Sequence, residues 1–265
     1  NPNYKNSDKS VYTNIQSSET DRLKDFGYKT NKTGFTLGTQ FEYYDDFYFG
    51  VGINSYYESI ETDSTASAQQ KKLKGNYFDN FINLNFDYDK RNQKFQPSQG
   101  FRNYFSTDLP IVSETNTLAN TFITTNYFEY FDSNILKSSF YFRNSNSITG
   151  DNIKLSERLY LPSNRLRGFE SGKVGPKDGN DFIGGNYIAS LNFSSNVPKI
   201  LENSQTTDII IFFDVANVWG VDYDSALDTS DDIKSAIGLG LDWFSPIGPM
   251  NFTLSQHLSK GSNDV

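Results

Sequence analysis

Apolar and polar side chains alternate every second residue along almost the whole of this chain, and helical spacing is nearly absent. Between Tyr77 and Asp89, Phe78, Ile82, Leu84, Phe86 and Tyr88 share one parity, and Asp79, Asn83, Asn85, Asp87 and Asp89 share the other. Phe35, Leu37 and Phe41 alternate with Gly34, Thr36, Gly38 and Gln40. Phe47, Phe49, Val51 and Ile53 alternate with Tyr48, Gly50, Gly52 and Asn54, and Ile237, Leu239, Leu241 and Trp243 with Ala236, Gly238, Gly240 and Asp242. A chain patterned in this way makes strands with two unlike faces.

The second face narrows the choice of architecture. It is rich in Gly and Asn as well as charge, which suits side chains crowding toward one another across a wet lumen. A soluble sandwich shares the alternation but has no such need for small residues outside. Composition agrees: aromatics make up 16% of the chain, yet only 36% is hydrophobic and mean hydropathy is −0.60.

Further strands are predicted at about 10–22, 100–110, 118–131, 134–147, 155–162, 186–195, 207–220 and 249–259. With the four above that makes about twelve, each close to the ~10 residues that cross a bilayer at a tilt. Connections are expected to be tight at Tyr43–Asp46, Phe95–Gly100, Phe131–Asn134 and Ser245–Pro249. They are expected to be long and polar at Thr20–Asn31, Ser59–Gly75, Ile148–Lys154, Leu166–Gly185 and Val221–Asp232. The segment Asn196–Thr206 is of medium length and falls on the short side. Short periplasmic turns and long extracellular loops are the habit of a transmembrane, antiparallel up-and-down β-barrel, the predicted fold class.

Several classes of function are disfavoured. There is no cysteine for a disulfide or thiolate site. A net charge of −8 speaks against a nucleic-acid binder. The most apolar run, Ile209–Phe213, is interrupted by Asp214, so no helix-length membrane span is present. The chain opens on Asn1-Pro2-Asn3-Tyr4, without an initiator Met or a leader-like apolar segment.

One segment departs from the alternation: Leu161-Pro162-Ser163-Asn164-Arg165-Leu166-Arg167-Gly168-Phe169-Glu170-Ser171. Glycine permits a sharp turn at its tip, and Arg167 offers a planar fork of donors to a carboxylate or carbonyl. A solvated loop whose arginines meet lipopolysaccharide phosphates is the alternative. Leu166-Arg167-Gly168-Phe169 resembles the signature of the BamA-type outer-membrane assembly barrels (bacterial surface antigen family) and their secretion, translocation and organelle relatives. The likeness extends through Gly184-Gly185-Asn186 with Ala189–Phe193, Ile211–Trp219, and Ser235–Pro249. Upstream, Tyr88–Arg91 with Phe95, Pro97, Ser98 and Gly100 is similar to the family's mid-barrel turn. Residues 1–75 fit by parity alone.

The resemblance implies that the loop, about residues 163–185, descends into the lumen and that Arg167 pairs with Asp214 on the wall. Parity places Asp214 with Phe212 and Ala216, opposite Ile209, Ile211, Phe213 and Val215, and therefore inward. On the lipid face its carboxylate would cost a few kcal/mol. Asn192 stands where BamA itself usually has a second carboxylate; the expectation is that it accepts a hydrogen bond from Arg167 and holds the loop less tightly. Ala216 replaces a usual glycine.

Other signals are weaker. His257, the only histidine, has no evident partner for hydrolase chemistry. Asp222, Asp224, Asp228, Asp231 and Asp232 read as a solvated acidic loop, without the turn glycine and terminal Glu of a calcium loop. Lys71, Lys72 and Lys74 form a small basic cluster on a predicted extracellular loop. Gly238 and Gly240 read as lumen packing, lacking the third glycine and helix of a nucleotide site.

As the resemblance implies, the chain is expected to be a non-enzymatic assembly-factor barrel in the cell outer membrane of a Gram-negative-type bacterium, without cofactor or metal. Its partners would be nascent outer-membrane proteins, outer-membrane lipid, and assembly lipoproteins reached through periplasmic domains upstream of Asn1. The rivals are a polypeptide-secreting barrel of the same superfamily and a passive porin. The family implies about sixteen strands, within the even-numbered range of such barrels. The motifs then place this chain at roughly the fourth through the fifteenth, with artificial edges at Ser10–Arg22 and Pro249–Ser259 and an open barrel.

Overall fold

The computed structural model describes residues 9–131, 134–197, 207–222, 227, 232–261 and 264–265. The strands are β1 (Lys9–Arg22), β2 (Tyr28–Tyr44), β3 (Phe47–Thr62), β4 (Gly75–Asp89), β5 (Gly100–Ser113), β6 (Thr117–Phe131), β7 (Asn134–Ser147), β8 (Lys177–Asp178), β9 (Asp181–Phe182), β10 (Tyr187–Asn196), β11 (Thr207–Trp219), β12 (Lys234–Ser245) and β13 (Gly248–Ser259). Two short helices, α1 (Leu23–Phe26) and α2 (Ala68–Lys72), lie in connections. Eleven strands form one sheet in chain order, every neighbour antiparallel, with β1 and β13 at its two edges; β8 and β9 form a separate small hairpin.

Two-residue alternation becomes two faces. The apolar parity points outward, where Leu37 is 48% exposed and Ile53, Phe78, Ile211 and Leu239 are similarly open. The polar parity points inward, and lumen glycines stand where a side chain has no room. A Cβ on Gly38 would lie 2.4 Å from the Tyr12 ring, which crosses the lumen face at that level. Register adds a feature that spans strands. Phe41, Phe49, Phe86, Phe105, Phe122 and Phe142 fall in one cross-strand row from β2 to β7. The rings of Phe49 and Phe86 are 5.1 Å apart, within the range of favourable aromatic pairs.

Two sequence expectations need correction. Residues 155–162 are not a strand: Leu155–Glu157 is a 3-10 turn, and Leu159 makes only an isolated bridge to Gly185. Leu155, Leu159 and Leu161 alternate as a lipid-facing strand would, but they are fully buried in the interior, with Leu155 at 0% exposure. Alternation reports two unlike environments, and a segment packed inside the lumen meets that condition too. The whole of 148–186 is therefore one connection between β7 and β10.

Loop lengths are also less strictly sorted than expected. The β5–β6 connection, on the long-loop side, is only Glu114–Asn116, whereas β4–β5 on the short side spans residues 90–99. That longer turn is closed internally, with the Asn92 side-chain carbonyl accepting from the backbone N–H groups of Ser98 and Gln99. Residues 1–8, residues 132–133, most of Asn196–Thr206, and Asp224, Asp228 and Asp231 lie outside the described residues.

Ile53 lies near the middle of β3 on the outward face. Ile53→Arg is expected to destabilise the barrel by about 2–4 kcal/mol, the cost of a basic side chain at the bilayer midplane. Urea unfolding in lipid vesicles, with Ile53→Leu as the control, measures it.

Candidate functional site

The connection 148–186 enters the interior and touches strands on opposite sides of it, meeting β3 and β4 through Lys154, β7 through Arg165, β11 through Arg167 and β13 through Gly168. Its apolar residues make the core. Leu159, Leu161, Leu166, Phe169 and Val174 pack with Tyr141, Ile188, Ala216, Val218 and Ala236 from the surrounding wall. An eleven-stranded sheet has too wide an interior for its own side chains to fill, and this connection supplies the missing apolar surface.

At its tip Arg167 meets Asp214, whose side chain is 0% exposed. Nε and Nη2 of Arg167 donate to the two carboxylate oxygens at 2.7 Å each, and the Arg167 backbone N–H donates at 3.0 Å. The guanidinium also lies 3.7 Å from the centre of the Phe212 ring. Bidentate geometry and a dry neighbour make each of these bonds stronger than it would be in water.

Asn192 acts differently from the sequence expectation. Its amide donates to Asp214 at 2.8 Å and to the Arg165 carbonyl at 2.8 Å, and does not accept from Arg167. Ser190 Oγ donates to Asn192 Oδ1 at 3.1 Å, which turns the amide's N–H₂ toward the carboxylate. A neutral amide here completes the shell of Asp214 and ties a second point of the loop to the wall.

Gly168 adopts φ +94°, a region costly for any residue with a Cβ. A Cβ there would also fall 2.1 Å from Ser255 Oγ on β13. The backbone therefore lies against β13, where His257 Nε2–H donates to the Gly168 carbonyl at 2.8 Å. The His257 ring also lies tilted against Phe169, centroids 4.2 Å apart. Sequence reasoning weighed His257 only as a catalyst and missed this role; no local pattern links it to residue 168.

A second buried cluster was also missed. Lys154, 2% exposed, bonds the carboxylates of Asp79 on β4, Glu58 on β3 at 3.0 Å and Glu157 at 3.3 Å. Burial opposes the charge of Lys154, but Glu157, Glu58 and Asp79 together hold its ammonium well above the ordinary lysine range. Burial pushes Glu157 up from the usual carboxylate range, and Lys154 only partly offsets it. Asp79 reads from sequence as an ordinary inward polar position, because the cation that joins it to Glu58 comes from a distant connection.

Several other inward charges are paired as well. Arg158 binds Asp222, which also accepts from the Ile153 N–H at 2.9 Å, so Asp222 is a tether and not part of a solvated acidic loop. Arg91 and Asp89 pair bidentately at 2.7 Å at the mid-barrel turn, as do Arg102 and Asp87. Lys71 reaches the Ser64 carbonyl within its own loop. Among the described residues no group of three or more His, Cys, Asp or Glu is placed to hold a metal.

The tip of the connection is thus a loop of Leu-Arg-Gly-Phe sequence, folded inward and clamped to a buried aspartate on the barrel wall. The Omp85 superfamily domain matches the chain over residues 1–265. The chain belongs to the Omp85 superfamily. Among its relatives is the outer membrane protein assembly factor BamA of Neorickettsia risticii (strain Illinois), 24% identical over 243 residues, or 89% of this chain and 33% of that protein. The protein of the same name from Nitratidesulfovibrio vulgaris is 28% identical over 114 residues, 41% of this chain and 14% of that one. The chain thus spans about a third or less of the length of these relatives. The crystal structure of BamA from Haemophilus ducreyi lacking POTRA domains 1-3 superposes with a TM-score of 0.88 at 17% identity, over 100% of this chain and 58% of that one. It shares the Omp85 barrel fold.

Removing either partner of the loop clamp leaves a buried charge. Arg167→Ala is expected to cost about 3–5 kcal/mol, and a double-mutant cycle with Asp214→Asn should show strong coupling. Unfolding by urea and the mobility shift on unheated gels read both, and additive effects would exclude the pair. In the second cluster Lys154→Met should cost a similar ~3–5 kcal/mol. Glu157→Gln should cost much less than Lys154→Met, because burial opposes the Glu157 charge that the amide removes. The sign follows from its raised pKa: an acid harder to ionise when folded takes stability away as pH rises. Wild type should therefore lose stability relative to Glu157→Gln as pH climbs above ~4.3, the ordinary glutamate value.

Proposed function

We propose that this chain is the membrane barrel of an outer-membrane protein assembly factor, which inserts and folds nascent β-barrel proteins in the outer membrane of a Gram-negative-type bacterium. The observation that carries this reading is the inward Arg167–Asp214 clamp of the Leu166–Phe169 tip, in a chain whose relatives over 89% of its length include a protein named as an assembly factor. A porin has no reason to fill its interior with a buried apolar plug tied to opposite walls.

In this reading the barrel works without nucleotide, metal or covalent chemistry. Nascent strands bring unpaired backbone groups and one apolar face to the membrane. Pairing those groups along a sheet edge and burying that face in hydrocarbon supplies the free energy. Local thinning of the bilayer beside the seam of the complete barrel lowers the barrier. The partners are unfolded outer-membrane proteins and outer-membrane lipid, with assembly lipoproteins engaged through periplasmic domains. The clamped loop keeps the wall at β11 and β13 in one arrangement while the seam works.

The test reconstitutes the full-length protein in lipid vesicles and follows an unfolded β-barrel client by its folded band on unheated gels. Client folding is expected to accelerate by about tenfold or more, equivalent to ~1.4 kcal/mol off the barrier, and to fall back with Arg167→Ala. Client delivered unfolded to the far side would favour the secretion transporter. Rapid oligosaccharide entry without client folding would favour the porin.

A further inference from the structure

Below the clamped loop, toward the tight-turn end of the interior, lies a cavity of about 750 Å³ whose walls include Lys137, Ser139, Arg165, Arg167 and Asp242. The chain closes it toward the long loops, where Ser139 and Tyr141 on β7 are buried. It is a blind chamber with room for a small group and no path for an extended chain. Its cations are unevenly matched. Arg167 is held by Asp214. Lys137 and Arg165 form no ion pair with any described residue, although Arg91, Arg102, Lys154 and Arg158 elsewhere in the interior each sit against a carboxylate.

Register brings these two cations to one place. On the inward face of β7, Lys137 is flanked by Tyr127 and Ser194, and its ammonium lies 5.9 Å from the Tyr127 ring. Arg165 comes down from the loop, lies over Tyr141 at 4.5 Å and donates from Nη1 to Ser139 Oγ at 3.3 Å. Ser139 is two positions from Lys137 on the same face, about 7 Å along the strand at ~3.3 Å per residue. One hydroxyl thus has a cation on either side, and the flexible stem of Lys137 lets its ammonium approach the guanidinium. The lining carboxylate, Asp242, is on β12, three strand spacings or about 14 Å along the wall, and accepts from Asn251.

We infer that the chamber binds one small oxyanion of the phosphate class between Lys137 and Arg165. The open part of the Arg165 fork supplies planar paired donors, Lys137 supplies a point charge, and the Ser139 and Ser194 hydroxyls complete a polar shell. The anion has a structural consequence. The loop meets β4 and β11 through ion pairs of its own, but at β7 it brings a cation toward a cation, with only the Arg165–Ser139 bond between them. A bound oxyanion turns that repulsion into a bridge and ties the loop to β7, so occupancy and the stability of the loop are linked. This inference stands apart from the assembly reading and holds whatever the barrel transports or folds.

The experiment titrates inorganic phosphate into the full-length protein in lipid nanodiscs, with ionic strength held constant by sodium chloride. Calorimetry should show one saturable site, and the unfolding temperature should rise with phosphate, as for any ligand that only the folded state binds. Lys137→Gln removes a charge that makes no hydrogen bond among the described residues. It should weaken binding at least tenfold and flatten the temperature response, and Lys137→Arg should restore both. Arg143 is on the same face of β7 but outside the chamber, so Arg143→Gln should leave both readings unchanged. Arg165→Gln should match Lys137→Gln; if it fails to fold, the β7 variants decide alone. No binding above the chloride background, wild-type affinity in Lys137→Gln, or an equal loss in Arg143→Gln would each overturn the inference. Client folding is scored separately, so its failure tells against the assembly reading and leaves the anion site standing.

Discussion

Inside hydrocarbon a backbone N–H or C=O has no water to bond, and each one left unpaired costs several kcal/mol. Everything else in this structure follows from that. Strands that pair along their whole length, each with the next in the chain, meet the requirement with the least connecting backbone. Because the pleat sends alternate side chains to opposite faces, the same strands must be apolar outside and polar, small or charged inside. The wide interior that results must then be filled or left wet, and here the β7–β10 connection fills the part toward the long loops.

That filling turns charge into structure. Asp214, Asp79, Glu58 and Lys154 would be expensive to bury alone, and each is buried among partners that satisfy it. The two clusters divide the labour. The Arg167–Asp214–Asn192 group fixes the tip of the connection to β10 and β11, while Lys154 fixes its start to β3 and β4. His257 adds β13. The connection is thereby tied to walls on both sides of the interior, and those walls are held at one separation by hydrogen-bonded contacts as well as by apolar packing.

Much of the architecture was legible before any coordinates. Period-two alternation needs only local sequence, so the strands of β2, β3, β4 and β12 and the inward parity of Asp214 could be read directly. The Arg-Gly-Phe tip stood out because it broke the pattern. The false strand at 155–162 shows the limit of the same signal, since Leu155, Leu159 and Leu161 alternate against a lumen wall as they would against lipid. Loop length misled for a related reason: Asn92 and its neighbours close a ten-residue turn as compactly as a shorter one would be.

Sequence alone settled most of the wall strands and their two faces, because pleating is a local property of the backbone. What sat beyond its reach was every interaction that depends on register or on where a distant connection comes to rest. The Phe41-to-Phe142 row exists only once six strands are aligned. Lys154 meets Asp79 across 75 residues, and Gly168 meets His257 across 89. Asn192 could have faced Arg167 or Asp214, and Ser190 chooses between them. Such contacts arise from curving a sheet around a folded loop, and no short-range pattern encodes which side chains that curvature brings together.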